Sequence, residues 1–353
     1  MAALPRPLMS RCGEPRPAPA GRGLSGLASL AWYNDGMEAA AVGAVVATRR
    51  PRFRRTGAPP PFRLTPDDVE IVRVVARHRL IRSIHIAALV GRSLDRTNDR
   101  LLRLFHAGYV DRPRAQLDHY PVAGSAPMIY ALADRGVRLL RERDGAEFRN
   151  PEWSRKNREA GRPFIEHQIE IINFQVALEH AARQRNDIRL VFAEELLAAM
   201  PRPSSGRDPF ALRARLSDRG VVRDTAVVPD LAFGFELSDG NRRNFMVEID
   251  RGTMPVTRSD PEQTSIARKM RVYLAAHAAG QHQRQFGWRN FRVLIVTTDE
   301  ARMRTMIRAL VQLRVPRSTG ALLFLLTTFD ALTAASPLAP AWWDGTGRRV
   351  AMI

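Results

Sequence analysis

The chain has 353 residues, 45% of them hydrophobic, and carries a formal net charge of +19. That length allows two ordinary domains and a tail, and the charge favours a polyanionic partner, with nucleic acid the first candidate. A single cysteine, Cys12, excludes a disulfide framework and fits a reducing cytoplasm. No apolar run approaches the ~20 residues that a membrane-spanning helix needs, so no membrane partner is predicted.

Residues 1–60 are rich in proline, arginine, alanine and glycine and have no sustained periodicity. This composition predicts a disordered, basic N-terminal tail. The segment contains nine arginines and three acidic residues, so it can act as a basic arm on DNA. A start at Met37 instead of Met1 is the alternative explanation for its composition.

The pattern of residues 61–145 predicts a winged helix-turn-helix domain. Thr65 is a suitable N-cap for its first helix, and Pro66 suits the first helical position. A second short helix and a third at 94–106, with Leu94 facing inward, precede a β-ribbon and a closing helix.

The third helix of such a domain enters the major groove of DNA, and the wing lies beside phosphate. The predicted DNA-binding residues on that helix and on the wing are Arg92, Arg96, Thr97, Arg100, Arg103, Arg112 and Arg114. The alternative is a protein-interaction domain with a solvated charged helix; the net charge favours DNA.

A polar segment at 146–162 is predicted to be a linker. The region 163–330 then has the predicted element order α-β-β-β-α-β-α-β, which is mixed α/β, with 200–220 as a loop. Residues 331–353 are predicted to form a C-terminal tail, in which tryptophans anchor the tail to a core.

Two of the predicted strands form a hairpin with acidic residues on one face. Apolar residues alternate along 227–237 and along 244–250, and side chains in a strand have a period of two. Pairing the apolar faces places Asp230, Glu248 and Asp250 together on the opposite face. A three-residue loop ending in a left-handed glycine sets Asp230 beside Glu248.

Three carboxylates on one face suit Mg²⁺ or Mn²⁺. Lys269 follows on a helix and is one of only two lysines in this arginine-rich chain, the other being Lys156. An ammonium group can stabilise charge on a phosphoryl group or orient a water molecule. These residues therefore indicate a metal-dependent nuclease site, and the alternative is the solvated face of an amphipathic hairpin.

The segments Val228-Pro229-Asp230 and Glu248-Ile249-Asp250 resemble the PD-(D/E)XK core of restriction-endonuclease-like proteins. In that family a lysine follows two residues after the glutamate, where this chain has Asp250. The resemblance implies that Lys269 replaces that lysine in space, as migrated lysines do in the superfamily. It also implies that Glu166, at the start of the preceding helix, is a further metal ligand.

From about residue 64 to 327 the chain resembles the replication-relaxation family of bacterial plasmid and integrative-element proteins. Besides the segments above, the resemblance depends on Glu166-His167 and on Lys269 with Tyr273. It implies a DNA-binding protein of plasmid replication, relaxation or mobilisation that nicks DNA with Mg²⁺ or Mn²⁺ and works with other replication or transfer proteins. The alternative is a non-catalytic regulator of replication or transcription that uses the nuclease fold as a scaffold.

Overall fold

The computed structural model describes residues 52–57, 61–119, 126–146, 155, 157, 159–201, 208–218, 221–260, 263–313 and 320–353. All of them fall within Thr48–Ile353, one of the two units into which the chain divides. Most of the predicted tail therefore lies outside the described residues, as do Cys12, Met37 and Lys156. Among the described residues, no helix combines the length and the apolar character needed to cross a lipid bilayer.

The described residues of the N-terminal half form four α-helices and a three-stranded sheet. In chain order the elements are α1 (Pro66–His78), β1 (Leu80–Arg82), α2 (Ser83–Val90), α3 (Leu94–His106), β2 (Val110–Asp111), a 3-10 helix (Arg114–His119), β3 (Ile129–Leu132) and α4 (Asp134–Asp144). The antiparallel sheet has the strand order β1-β3-β2. Thr65 caps α1 through the backbone N–H of Asp68, as its position before Pro66 predicts.

Three features of this half differ from the prediction. Leu94, the first residue of α3, is 40% exposed, and the buried residues of this helix begin at Thr97. Arg55, in the predicted tail, donates hydrogen bonds to the carbonyl oxygens of Phe105 and Val110, at 2.9 and 3.2 Å. Asn157, in the predicted linker, is buried and donates to a β3 carbonyl oxygen at 2.8 Å.

The C-terminal half is a mixed α/β structure around a seven-stranded sheet. Its helices are α5 (Arg162–Arg183), α6 (Ala193–Ala198), α7 (Ile266–Ala278), α8 (Gln281–Phe286), α9 (Glu300–Gln312), α10 (Gly320–Leu323) and α11 (Phe329–Ala334). Its strands are β4 (Ile188–Val191), β5 (Leu212–Asp218), β6 (Val221–Val227), β7 (Leu231–Leu237), β8 (Arg242–Ile249), β9 (Phe291–Thr297), β10 (Phe324–Thr328), β11 (Trp342–Asp344) and β12 (Arg349–Val350). The large sheet has the order β12-β11-β10-β9-β8-β7-β4, with β8, β9 and β10 parallel.

Both faces of this sheet are buried. The apolar residues predicted to share a face do so, since Phe233, Phe245 and Val247 pack in one core with α5. The opposite face, which the alternative interpretation places in solvent, is also covered: Met246 packs in a second core with α7 and α9. The carboxylates on that face therefore lie at the edge of a core, where charge is costly unless it is paired.

Two segments that were predicted to be irregular form strands. Part of the predicted 200–220 loop is β5, which pairs with β6 in a separate hairpin beside α7. The predicted tail at 331–353 contributes β11 and β12 to the large sheet, and Trp342 is fully buried. The expected tryptophan anchor is thus confirmed, but the C-terminal segment is part of the sheet.

Helix α5 connects the two halves of the described structure. Its residues Ile165, Ile169 and Ile172 belong to the core of the N-terminal half. Its residues Ile171, Phe174 and Leu178 belong to the core under the large sheet. The first turn of α5 therefore has a fixed position relative to both halves.

The turn between β7 and β8 has the predicted loop. Leu237 donates its backbone N–H to Asn241 at 2.9 Å, and Gly240 has a φ of 79°. Leu231 pairs with Val247 in the resulting register, which brings Asp230 opposite Glu248. A glycine with positive φ after a tight turn is the usual way to fix such a three-residue loop.

We expect Gly240→Ala to lower the free energy of unfolding by about 1 kcal/mol, because a Cβ atom strains a left-handed residue. No other heavy atom lies within 4 Å of the position of that Cβ, so backbone conformation alone sets the effect. Urea denaturation measures it. Gly240→Asn is the control and should lose less, since asparagine tolerates this conformation; equal losses in both variants would contradict the explanation.

Candidate active site

The acidic residues meet where β8 and β9 end and β7 begins. The backbone N–H of Asp230 bonds the carbonyl oxygen of Val247 at 2.9 Å, and Asp250 follows the last residue of β8. Parallel strands such as β8 and β9 bring their carboxyl ends to one sheet edge, which is where open α/β sheets bind ligands.

Glu248 is held by two side chains from α7. It is 4% exposed, and its Oε2 accepts a hydrogen bond from Lys269 Nζ at 2.5 Å. Its Oε1 accepts one from the Tyr273 hydroxyl at 2.6 Å. Because residues four apart on a helix share a face, α7 presents both donors to the same carboxylate.

The charges of this pair follow from their surroundings. Burial raises the pKa of Glu248, and the neighbouring Lys269 charge only partly opposes that rise. Burial would lower the pKa of Lys269, but the Glu248 carboxylate and weaker contributions from Asp230 and Asp250 raise it overall. The lysine side chain keeps 28% exposure, against 6% for Glu248, so we place the proton on the better-hydrated amine. Burial raises the pKa of Tyr273, which therefore remains a hydrogen-bond donor.

Asp230 is oriented by two donors from different elements. Its Oδ2 accepts the backbone N–H of Ile249 at 2.7 Å, and its Oδ1 lies 3.0 Å from Nε2 of His167 on α5. The side chain of His167 is 33% exposed. Its position beside Glu166 was the only sequence signal for a role in the site.

The carboxylate of Asp250 is bound by side chains other than those that bind Glu248 and Asp230. Arg302 of α9 donates to it through two nitrogens at 2.6 and 2.9 Å, and Thr297 donates at 2.6 Å. The carboxylate is therefore neutralised by a fork of arginine donors. No sequence pattern indicated Arg302, which lies 52 residues further along the chain.

Glu166 contacts arginines instead of the other acids. Its Oε1 accepts from Arg162 Nε at 2.8 Å, and its Oε2 forms an ion pair with Arg251. Hydrogen bonds from Arg162 and then from Arg251 lower the pKa of the Glu166 carboxyl. Its predicted role as a metal ligand stays a prediction, and these contacts suit a different role.

Among the described residues, no group of three or more His, Cys, Asp or Glu side chains is arranged to hold a metal ion. Asp230 and Glu248 nevertheless form a pair of neighbouring carboxylates on adjacent strands. Mg²⁺ is commonly bound by one or two carboxylates and completes its shell with water and substrate phosphates. The chemistry of this donor pair is compatible with Mg²⁺ or Mn²⁺, and the predicted metal site stays a prediction.

Four of the predicted DNA-binding residues lie on the surface of the N-terminal half. Arg96 and Arg114 are exposed. Arg92 pairs with Asp67 at 2.6 Å, and Arg103 pairs with an aspartate one turn earlier on α3 at 2.9 Å. Both pairs are at least 41% exposed, so solvent screens them and they leave the arginines free to exchange partners.

The other three predicted contacts face protein. Thr97 is fully buried and bonds a carbonyl oxygen one turn earlier, because it occupies the inward position of α3. Arg100 donates to the buried carboxylate of Asp68 at 2.7 Å. Arg112 is 9% exposed, with its guanidinium 4.5 Å from the centre of the Phe105 ring. The predicted outward position of Thr97 is therefore wrong, and the guanidinium groups of Arg100 and Arg112 are engaged by other parts of the protein.

A family model described as replication-relaxation matches residues 72–290 of the chain. No curated protein and no solved structure matches it. Asp230, Glu248, Asp250 and Lys269 all lie within the matched range, whereas Arg302 lies outside it.

Proposed function

The chain belongs to the replication-relaxation family, and from this premise we propose that it is a DNA-binding protein that nicks DNA during the replication, relaxation or mobilisation of a mobile element. The substrate is double-stranded DNA, and the reaction is phosphodiester cleavage. The net charge of +19 supports a polyanionic partner. Other replication or transfer proteins of the element are its expected partners.

The N-terminal half is proposed to be a winged helix-turn-helix that selects the DNA site. Three helices and a β1-β3-β2 sheet, in this chain order, support that assignment. The exposed face of α3 and the residue before its N-cap form the proposed groove-reading surface, with Arg92, Arg96 and Arg103 available to bases or phosphates. Arg114 is the proposed contact beside the wing.

The C-terminal half is proposed to be a restriction-endonuclease-like domain, and a single observation carries its catalytic role. Lys269 Nζ lies 2.5 Å from Glu248 Oε2, and Glu248 stands opposite Asp230 in the strand register. The chain has only two lysines among 55 basic residues. If Lys269 takes the place of the lysine that the motif has at the position of Asp250, its ammonium group must lie next to the paired carboxylates, as it does here.

In this mechanism Asp230 and Glu248 would hold Mg²⁺ or Mn²⁺, which would supply Lewis-acid stabilisation and an acidified water. Lys269 stabilises the negative charge that develops on the phosphoryl oxygens. Tyr273 fixes the second oxygen of Glu248, and His167 fixes the orientation of Asp230. Tyr273 is 1% exposed and bonded to Glu248, so it acts as a positioning residue and not as a nucleophile.

Relaxation of a supercoiled plasmid tests this proposal. We expect the wild-type protein to convert supercoiled plasmid to the open-circular form with Mg²⁺ or Mn²⁺, and Asp230→Asn to lose that activity, because the amide cannot serve as an anionic ligand. Gel electrophoresis measures the products, and a mobility-shift assay with the same DNA controls for binding. Absence of nicking with either metal, with DNA binding intact, would overturn the catalytic proposal.

That outcome would favour a non-catalytic regulator of replication or transcription. One observation supports this second candidate: Asp250, which stands at the usual lysine position of the motif, is bound by Arg302 and Thr297. A protein without nicking activity would retain the buried ion pair of Asp250 with Arg302 because that pair stabilises the fold.

A further inference from the structure

Two arginines from distant parts of the chain meet at Glu166. Arg162 begins α5, and Arg251 lies in the loop after β8. Each contacts a different oxygen of the Glu166 carboxylate. Arg251 also donates to the carbonyl oxygen of Pro163 at 3.3 Å, which ties this loop to the first turn of α5.

Two residues of this cluster adjoin residues of the candidate active site along the chain. Glu166 precedes His167, whose ring contacts Asp230 at 3.0 Å. Arg251 follows Asp250, whose carboxylate is held by Arg302. Glu166 and Arg251, the two partners of the ion pair, are therefore each one residue along the chain from a residue at the acidic edge of the sheet.

The cluster has a surplus of positive charge. Its two guanidinium groups face one carboxylate, and its side chains keep exposures of 53% for Arg162 and 25% for Arg251. A guanidinium carries several N–H donors in a fixed fork, so donors remain on both arginines for a second acceptor. A phosphate group matches that fork and can be bound through two oxygens.

We infer that Arg162 and Arg251 form a phosphate-binding pair for the DNA strand at the active site, and that Glu166 positions these two arginines instead of binding metal. The inference rests on the proposed function, since it needs DNA as the substrate. It assigns Glu166 to the binding of the strand and leaves Asp230 and Glu248 as the metal ligands.

DNA binding without metal tests the phosphate-binding pair independently of cleavage. Affinity for a short duplex would be measured in EDTA at several salt concentrations, for the wild type, Arg162→Gln, Arg251→Gln and the double variant. Each lost phosphate contact should lower the slope of log affinity against log salt by about 1, and the double variant by about 2.

Arg185→Gln is the matched control. Arg185 is 39% exposed in a surface ion pair with Asp187, and it follows the last turn of α5, roughly 35 Å from Arg162 at the rise of an α-helix. The control removes the same charge and should keep the wild-type slope. Thermal melting of each variant checks folding. A double variant with the wild-type slope and affinity would overturn the phosphate-binding pair.

Glu166→Gln tests the role of the glutamate. We expect its metal concentration for half-maximal plasmid nicking to equal that of the wild type, because the residue does not bind metal. A tenfold or greater increase in that metal concentration is the usual effect of disturbing a metal site. It would indicate that Glu166 is a metal ligand and would overturn its positioning role. If the wild type does not nick, the catalytic proposal fails while the duplex measurements still decide the phosphate-binding pair.

Discussion

Lys269→Met is expected to reduce the plasmid-nicking rate by about 10²–10³-fold, the range found when one stabilising donor is removed from an active site. The amine contacts Glu248 at 2.5 Å and is the candidate group that carries positive charge to the phosphoryl oxygens. Methionine preserves the length and the apolar stem of the side chain but removes its charge. The initial rate of open-circle formation, measured by gel electrophoresis, gives the result.

Two further substitutions make the measurement specific to the ammonium group. Lys156→Met removes the chain's other lysine, outside the described residues, and should nick at the wild-type rate. Lys269→Arg keeps the charge, but its broad guanidinium does not match a contact built for a compact ammonium, so we expect at least a tenfold loss. A folded Lys269→Met protein with the wild-type nicking rate would remove Lys269 from the reaction.

Local signals were sufficient to predict the hairpin that carries the acids. Alternation of apolar residues set which faces pair, and Gly240 set the loop length, so the register of Asp230 with Glu248 followed from the sequence. The sequence also predicted that Lys269 lies on a helix that follows the hairpin, and α7 is that helix. These features depend on interactions between residues that are close along the chain.

Contacts between distant segments were not predictable in the same way. Asp250 and Arg302 are 52 residues apart, and Glu166 and Arg251 are 85 residues apart. An arginine-rich chain offers many possible partners for each acid, and only the packing of α5 and α9 against the sheet selects one. The sequence therefore located Asp250 and Glu166 but did not identify Arg302 and Arg251 as the arginines that bind them.

The prediction for the first turn of α3 was wrong at two positions. Leu94 was expected in the core and Thr97 on the surface, but Leu94 is 40% exposed and Thr97 is fully buried. Leu101 and Leu104 are buried as expected. The first turn of a helix has neighbours on fewer sides than its middle, so hydrophobicity there is a weak guide to orientation.

Arg100→Ala is expected to lower the free energy of unfolding by about 3 kcal/mol, because removing one partner of a buried ion pair leaves a buried charge uncompensated. Asp68 is fully buried, and Arg100 reaches it from α3 through two nitrogens. The same arginine lies over the Phe62 ring, at 5.0 Å from its centre. The substitution therefore removes a charge pair and a packing contact between α3 and the start of α1.

Arg103→Ala is the control for that loss, since Arg103 is three residues further along the same helix and pairs with Asp99 in an exposed contact at 2.9 Å. Exposed pairs of this spacing contribute about 0.3–0.5 kcal/mol, so this variant should unfold near the wild-type urea concentration. The two variants should differ in the opposite sense in their affinity for duplex DNA, measured under conditions in which both are folded. Arg103→Ala should bind more weakly than the wild type, and Arg100→Ala should bind with the wild-type affinity. Equal stability of both variants would show that Asp68 is satisfied by its Thr65 contacts alone, and that Arg100 is available to DNA after all.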